Sequence, residues 1–203
     1  MEENKEDLKQ VANHLLSIDG NAKGEAIITN ANYIKRTQGE EGLKKVEKRM
    51  NELGADIRFN EISSFQWYQE GLNSLVLVVA KDVFNWSDED VIKMGYLATK
   101  NSFIVRLIMQ YLVSVNRVFK DAPRYWRKHF DFGALEPVEL NEKEGHMTLR
   151  IRGFHTHYTC CLSQIGYFKG ITELVTRSKN VDVKETKCTH KGDEYHEYKI
   201  TWI

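Results

Sequence analysis

The chain has little of several features that would narrow its class at once. Its 203 residues include only two prolines and three cysteines, and acidic and basic residues balance at 29 each. A content of 41% hydrophobic residues with so few prolines favours an ordered globular protein. Nucleic-acid binding usually needs a basic excess, which this composition does not have. We therefore expect no nucleic-acid partner.

Long apolar runs and export signals are also absent from the sequence. The longest apolar run, Leu75 to Ala80, is too short to span a bilayer, so we expect no membrane span. The acidic, polar N-terminus does not resemble a signal peptide. Three cysteines, two of them adjacent, make a poor disulfide framework. We expect a cytoplasmic protein whose thiols stay reduced.

Apolar periodicity predicts that the first two thirds of the chain are mainly helical. Ser87 and Asp90 are spaced to cap a helix start, and Gly54 is placed to end one. Residues 1–20 form a helical extension in this interpretation. The predicted elements are helices over 5–17, 40–53, 88–99 and 101–120, with a short strand or connecting segment over 56–62.

The last sixty residues have a different pattern. Alternating apolar residues around Met147 predict a half-buried strand, and residues 158–178 predict a helix. Segments 181–190 and 194–202 predict a hairpin that turns at 191–193. Together these patterns predict one α+β domain over 1–203: N-terminal helices, then an antiparallel sheet with a helix packed across it.

Four potential metal ligands lie in this strand-helix-hairpin segment, 146–203. They are Cys161, Glu185, Cys188 and His196, and a set of thiolate, imidazole and carboxylate groups suits zinc. A loop at 191–193 puts Cys188 directly opposite His196, within reach of one ion. Glu185 and Cys188 are three residues apart, so a regular strand would place them on opposite faces. Both can bind one metal only if a bulge or bend intervenes.

Other interpretations of these residues remain open. The cysteines could be small buried hydrophobes and His196 a hydrogen-bonded core histidine. A rival site could combine His155, His157 and Cys160 on the preceding segment. The aromatic residues at 125, 126 and 130 could line a ligand pocket or pack in the core.

At these residues the sequence resembles the 4-vinyl reductase-type small-molecule-binding domain. The matching residues are Cys161, the run Gln164-Ile-Gly-Tyr167, Gly170, Glu185, Cys188, Gly192 and the position of His196. In the sensor branch of that family, a cysteine, a glutamate and two further cysteines bind zinc at these positions. The sequence departs from that pattern in having histidine at 196 where the family has cysteine.

The resemblance implies the ligand-binding fold of nitric-oxide-signalling and Golgi-transport proteins, a homodimer and a structural zinc. It also implies an interior pocket for a hydrophobic or aromatic small molecule. The residues that we expect to line it are Tyr111, Trp126, Phe130 and Tyr167.

We therefore interpret the chain as a sensory domain, read by a downstream signalling partner. One alternative is a haem-based gas sensor on the related fold, and another is a non-catalytic interaction scaffold. Haem is judged unlikely because the Tyr-x-Ser-x-Arg motif of the haem branch does not occur and His129 is the only histidine in the helical middle. No nucleotide loop or catalytic triad indicates an enzyme.

Overall fold

A computed structural model describes residues 7–101 and 114–203 of the chain. Two compact units divide it, one over residues 1–86 and the other over residues 87–203. The units are described separately below. The interpretation of 1–203 as a single domain, with an extension over 1–20, stays a prediction.

The first unit is helical, with one small two-stranded sheet. Asp7 caps the first helix by accepting a hydrogen bond from the backbone N–H of Lys9 at 3.0 Å. Strands β1 and β2 pair antiparallel. The elements are α1 (Leu8–Leu15), β1 (Asn21–Lys23), α2 (Gly24–Glu52), a 3₁₀ turn (Phe59–Glu61), β2 (Trp67–Gln69) and α3 (Glu70–Phe84).

Helix α2 is longer than the sequence pattern predicts. The segment before residue 40 also winds into helix, and the two parts meet at Gly39, whose φ of 73° lies in the left-handed region. Glycine adopts that conformation without steric cost, so it can kink the helix there. The part from 40 onwards matches the predicted helix. Residues 59–61 form a 3₁₀ turn instead of the short strand considered for 56–62.

Helix α3 supplies much of the core of the first unit. Every residue from Leu75 to Ala80 is buried, as expected of a helix that is apolar on all sides. Gly71 lies against the backbone carbonyl of Leu15 so closely that a Cβ atom would collide with it. This contact fixes the end of α1 on the first turn of α3.

A buried carboxyl group begins α3. Glu70 is fully buried and accepts hydrogen bonds from Asn73 Nδ2 at 3.1 Å and from Ser74 Oγ at 3.0 Å. Asn30 Nδ2 in turn donates to Asn73 Oδ1 at 3.0 Å. Burial raises the pKa of Glu70 to about 7, although the bonds from Asn73 and Ser74 act to lower it.

The second unit contains three described helices and a four-stranded antiparallel sheet. Ser87 and Asp90 form the predicted reciprocal cap at the start of its first helix. The strand order is β3-β4-β6-β5. The elements are α4 (Asp88–Asn101), α5 (Val115–His129), β3 (Ala134–Asn141), β4 (His146–Arg152), α6 (Tyr158–Thr176), β5 (Val181–Lys187) and β6 (His196–Trp202).

Two features of this unit differ from the sequence-based expectations. A continuous helix over 101–120 is wrong, because Ser114 has extended dihedrals and caps α5. Strand β3 was not predicted: Pro137 and a register shift after it interrupt the alternation that a regular strand would show. The strand around Met147, the helix from 158 and the terminal hairpin all form.

Helix α6 packs between the sheet and α4. On one side Phe168 meets Tyr198 of β6, with ring centroids 5.0 Å apart. On the other side Gly166 lies against the carbonyl of Ile92, and Gly95 of α4 against the carbonyl of Ser163. A Cβ atom at either glycine would collide with backbone, so these glycines let α4 and α6 approach closely.

This architecture is α+β, with N-terminal helices and an antiparallel sheet crossed by a helix, as the sequence predicts. Among the described helices, none combines the length and apolar character that crossing a bilayer requires.

The close packing of α4 on α6 gives a first prediction. Gly166→Ala should lower the free energy of unfolding by about 2 kcal/mol or more, because the added methyl group meets backbone that cannot rotate away. The change would otherwise stabilise the helix, since alanine has the higher helix propensity. Denaturant unfolding measures the effect, with Lys169→Ala on the same helix as the control. Equal stability of the two variants would contradict the packing described.

The buried Glu70 gives a second prediction. Its pKa is raised in the folded state, so the folded protein keeps a proton that the unfolded chain releases above its ordinary value of 4.5. Stability due to this group is therefore greatest at acidic pH and falls, by up to about 3 kcal/mol, as the pH rises to about 7. Glu70→Gln should remove that dependence.

The measurement is the melting temperature of wild type and variant between about pH 5 and about pH 8. Glu41→Gln, at an exposed position of α2 in the same unit, serves as the control. Parallel curves for wild type and Glu70→Gln would show that Glu70 does not titrate in this range.

Candidate metal centre

Three elements bring the predicted ligands together. Cys161 lies in the first turns of α6, Glu185 on β5, Cys188 directly after β5, and His196 at the start of β6. One donor atom from each lies within 4.8 Å of every other. Both cysteines and the histidine are buried, and the Glu185 side chain is only 10% exposed. Within residues 7–101 and 114–203, this is the group of metal-binding side chains that the structure assembles.

A bulge in β5 allows Glu185 and Cys188 to reach the same point. Glu185 pairs with Tyr198 and Lys187 with Glu197, so the register shifts between 185 and 187. The extra residue turns the strand after Glu185 and reverses the alternation of faces. The irregularity that the sequence spacing required is therefore present.

A tight turn follows Cys188. The Cys188 carbonyl accepts from the backbone N–H groups of Lys191 at 2.9 Å and Asp193 at 3.2 Å. Asp193 Oδ2 accepts from the Cys188 N–H at 2.8 Å, and Gly192 has a left-handed φ of 91°. The backbone N–H of His190 donates to the Cys188 sulfur and acts to lower the pKa of that thiol. The turn thus directs a backbone dipole at the sulfur, as a thiolate requires.

The imidazole of His196 is oriented by its partners. Nε2 lies 3.0 Å from the carbonyl oxygen of Phe154, which can only accept, so Nε2 carries a proton. Thr189 Oγ1 lies 2.9 Å from the same nitrogen. Nδ1 lies 3.2 Å from Glu185 Oε1 and 3.6 Å from Cys161 Sγ. In a neutral ring, the lone pair of Nδ1 therefore points into the cluster, as a metal ligand must.

The acid groups of the cluster have displaced pKa values. Burial raises the pKa of the Cys161 thiol far above its ordinary range, and the negative charge of Glu185 raises it further. Burial also raises the pKa of Cys188. For Glu185 burial acts upward, but the contacts with His196 and Cys188 outweigh it and hold the pKa of the carboxyl group below its ordinary value. Glu185 is thus a carboxylate, and a cation would stabilise both thiolates beside it.

These donors fit a metal that prefers mixed sulfur, nitrogen and oxygen ligands. Two thiolates, one imidazole and one carboxylate fill a tetrahedral shell. Four protein ligands leave no open position for a substrate. The arrangement is suited to a structural site.

The rival histidine site does not form around one point. His157 is buried, caps α6 and lies 3.0 Å from Thr159 Oγ1, whereas His155 is exposed. Cys160 is buried next to Cys161 but does not belong to the four-residue cluster.

The predicted pocket residues fall into different places. Trp126 and Phe130 pack together with centroids 4.5 Å apart, and Trp126 Nε1 donates to the Phe132 carbonyl at 2.9 Å. Tyr167 lies on α6 beside Phe168, and burial raises its pKa to about 12. Tyr111 lies outside the described residues. An aromatic cluster thus exists, formed by Trp126, Phe130, Phe132 and Phe154.

Sequence reasoning missed Phe154, which belongs to the aromatic cluster and contacts the four-residue metal cluster through its carbonyl. Its ring stacks on Phe132 with centroids 5.1 Å apart, while its carbonyl accepts from His196. Every residue has a backbone carbonyl, so the residue type does not indicate that this one accepts a hydrogen bond. The one available signal was Gly153, placed to turn the chain after β4 with a φ of 63°.

Comparisons with known proteins give a fold relation without a sequence relation. No family model and no curated protein matches the chain. Among solved structures, an H-NOX protein from S. oneidensis in its Fe(II)NO state aligns with a TM-score of 0.68 and 12% identity, over 89% of this chain and 99% of that one. A structure from a study of H-NOX activation aligns with a TM-score of 0.62 and 10% identity, over 89% and 96%. A structure from a study of heme distortion in the H-NOX family has the same score and identity, over 89% and 94%.

The comparisons confirm the predicted relation to haem-based nitric-oxide sensor domains at the level of the fold. The expectation that haem is unlikely is wrong. The solved structures that share this fold are H-NOX proteins, and one of them is from a study of heme distortion. A missing motif is weak evidence against a cofactor at 12% identity, since the fold persists where the sequence has diverged. No match to the 4-vinyl reductase family was found.

Proposed function

We propose that this chain is a non-catalytic, ligand-binding sensory domain of H-NOX-like fold. The main support is the fold likeness over 89% of the chain to an H-NOX protein seen in an Fe(II)NO state. A small molecule, apolar, aromatic or held by haem, would shift a conformational equilibrium that a second copy or a signalling partner reads. The buried four-ligand cluster supports the non-catalytic part of the proposal, because it leaves no position for substrate.

Within that domain, the four-residue cluster would act as a metal clamp. A divalent cation bound by Cys161, Glu185, Cys188 and His196 would fasten the β5–β6 hairpin to the start of α6. Zinc suits this donor set best, because it accepts thiolate, imidazole and carboxylate in a tetrahedral shell. Histidine at 196 preserves a donor where the resembled family has cysteine, and its Nδ1 faces the other ligands.

The clamp gives a third prediction. Protein purified without added metal should contain about one zinc per chain by elemental analysis. Cys188→Ala should lose the metal and lower the melting temperature, because the binding energy of a structural metal is folding energy. The matched control is Cys160→Ala, a buried cysteine outside the cluster, which should keep the metal. Metal-free wild type that gains no stability on adding zinc would refute the clamp.

Haem is the ligand that the fold likeness favours, and the histidines of this chain limit how it could be held. All seven histidines lie in the described residues. His14 is exposed on α1, and His129, half-buried at the end of α5, is the other one within an α-helix. If haem binds, His129 would be a candidate iron ligand, and Arg124 and Arg127 of the same helix would be candidate partners for the propionates. Bound haem would supply a ferrous iron able to bind a diatomic gas.

Haem titration gives a fourth prediction. If the domain is a haem sensor, added haem should produce a saturable Soret band at one equivalent, and His129→Ala should weaken or shift it. His14→Ala should leave the spectrum unchanged. A chain that binds no haem while small aromatic compounds raise its melting temperature would instead favour the apolar-ligand form of the proposal.

A further inference from the structure

One buried tyrosine contacts the metal cluster without being a ligand. Tyr198 is fully buried on β6, two residues after His196, and shares its inward-facing side. Its hydroxyl lies 2.7 Å from Gln164 Oε1 and 3.3 Å from Glu185 Oε1. Register explains the second contact, because Glu185 and Tyr198 are directly opposed on β5 and β6. Gln164 lies one turn after Cys161 on α6.

The phenol has one proton for these two neighbours. If it donates to the Gln164 oxygen, its own oxygen faces the Glu185 carboxylate and the contact is repulsive. The amide oxygen and nitrogen of glutamine have nearly the same shape, so a rotated Gln164 places N–H toward the tyrosine oxygen. The phenol can then donate to Glu185. Only this direction gives the carboxylate a hydrogen bond from Tyr198.

We propose that Gln164 and Tyr198 form a relay that positions Glu185 as a metal ligand. The Gln164 amide donates to Tyr198, and the Tyr198 hydroxyl donates to the Glu185 carboxylate. The relay rests on the proposed metal clamp, and it gives Gln164 a role beyond packing. Both are positioning residues, since neither is one of the four clustered donors.

Glu185 needs such support because its strand provides little. Strand β5 is at the edge of the sheet, and its register shifts directly after Glu185. A glutamate side chain has three rotatable bonds, so an unsupported carboxylate loses more entropy when it binds an ion. Outer-shell partners of metal ligands typically change metal affinity 10–100-fold when they are removed.

Tyr198→Phe tests the relay. The ring and its contact with Phe168 are kept, and only the hydroxyl is lost. We expect zinc affinity, measured by competition with a chromophoric chelator, to fall roughly 10–100-fold. The cobalt-substituted variant should also show a ligand-field spectrum altered from that of wild type, because the carboxylate is no longer held. A purely structural role for the hydroxyl would lower stability without changing that spectrum.

The matched control is Tyr195→Phe, which also removes one tyrosine hydroxyl. Tyr195 precedes His196 in the sequence. Its hydroxyl accepts from Lys187 Nζ at 3.0 Å, and Tyr195 is not one of the four clustered residues. Gln164→Met, which keeps length and removes the amide, should show a smaller loss of affinity and covers the case in which Tyr198→Phe does not fold.

If Tyr198→Phe binds zinc as tightly as wild type, the relay is overturned. If only Gln164→Met folds, wild-type zinc affinity in that variant overturns the relay. An equal loss in Tyr195→Phe would overturn it as well. A wild type that binds no metal would overturn the clamp itself, so the two failures are distinguishable.

Discussion

The arrangement of α6 and the β5–β6 hairpin in the second unit depends on how charge is neutralised at one buried cluster of side chains. Two thiols, a carboxylate and an imidazole nitrogen meet within 4.8 Å, and the hydrogen bond from His196 Nε2 to a carbonyl directs the other nitrogen at the carboxylate. Without a cation, the lone pair of Nδ1 in a neutral imidazole faces the Glu185 carboxylate at 3.2 Å, with no positive charge between them. With a divalent cation, all four donors are satisfied together and both cysteines bind as thiolates. The elements that supply them, α6 and the β5–β6 hairpin, are then joined at one atom.

The aromatic cluster is continuous with that point through Phe154. Its carbonyl holds His196, and its ring packs against Phe132 and Trp126. A change in the packing of the aromatic cluster therefore acts on Phe154, the residue whose carbonyl orients His196. On its other side, α6 packs against α4 through glycine contacts that leave no space for a Cβ atom. The described unit thus links the four clustered side chains, the aromatic cluster and the packing of α6 on α4 through short, direct contacts.

The sequence predicted the cluster because its signals were local. Thiol, carboxylate and imidazole side chains are identifiable by type. The alternation along the last strand predicted that His196, Tyr198 and Ile200 all face the interior. The need for a bulge after Glu185 also followed from spacing alone. What could not be predicted involves backbone atoms and long-range contacts. The carbonyl of Phe154 and the N–H of His190 have no sequence signature, and the partnership of Gln164 with Tyr198 spans 34 residues.

Element boundaries failed where backbone chemistry overrides periodicity. The apolar pattern over 101–120 runs through Ser114, yet its side chain accepts from the N–H of Arg117 and starts a new helix. Strand β3 contains Pro137 and a register shift, so its pattern does not alternate regularly. Haem was misjudged for a different reason. The expectation rests on an absent motif and on His129 as the only histidine in the helical middle, and an absent motif is weak evidence where the fold is shared at 12% identity.

X-ray absorption spectroscopy at the metal edge tests the central claim most directly. The account predicts zinc with two sulfur ligands at roughly 2.3 Å and two nitrogen or oxygen ligands at roughly 2.0–2.2 Å. In Cys188→Ala the sulfur contribution should halve or the metal should be absent. Protein that holds no metal when purified and when supplied with zinc, or a metal surrounded only by nitrogen and oxygen, would contradict the clamp.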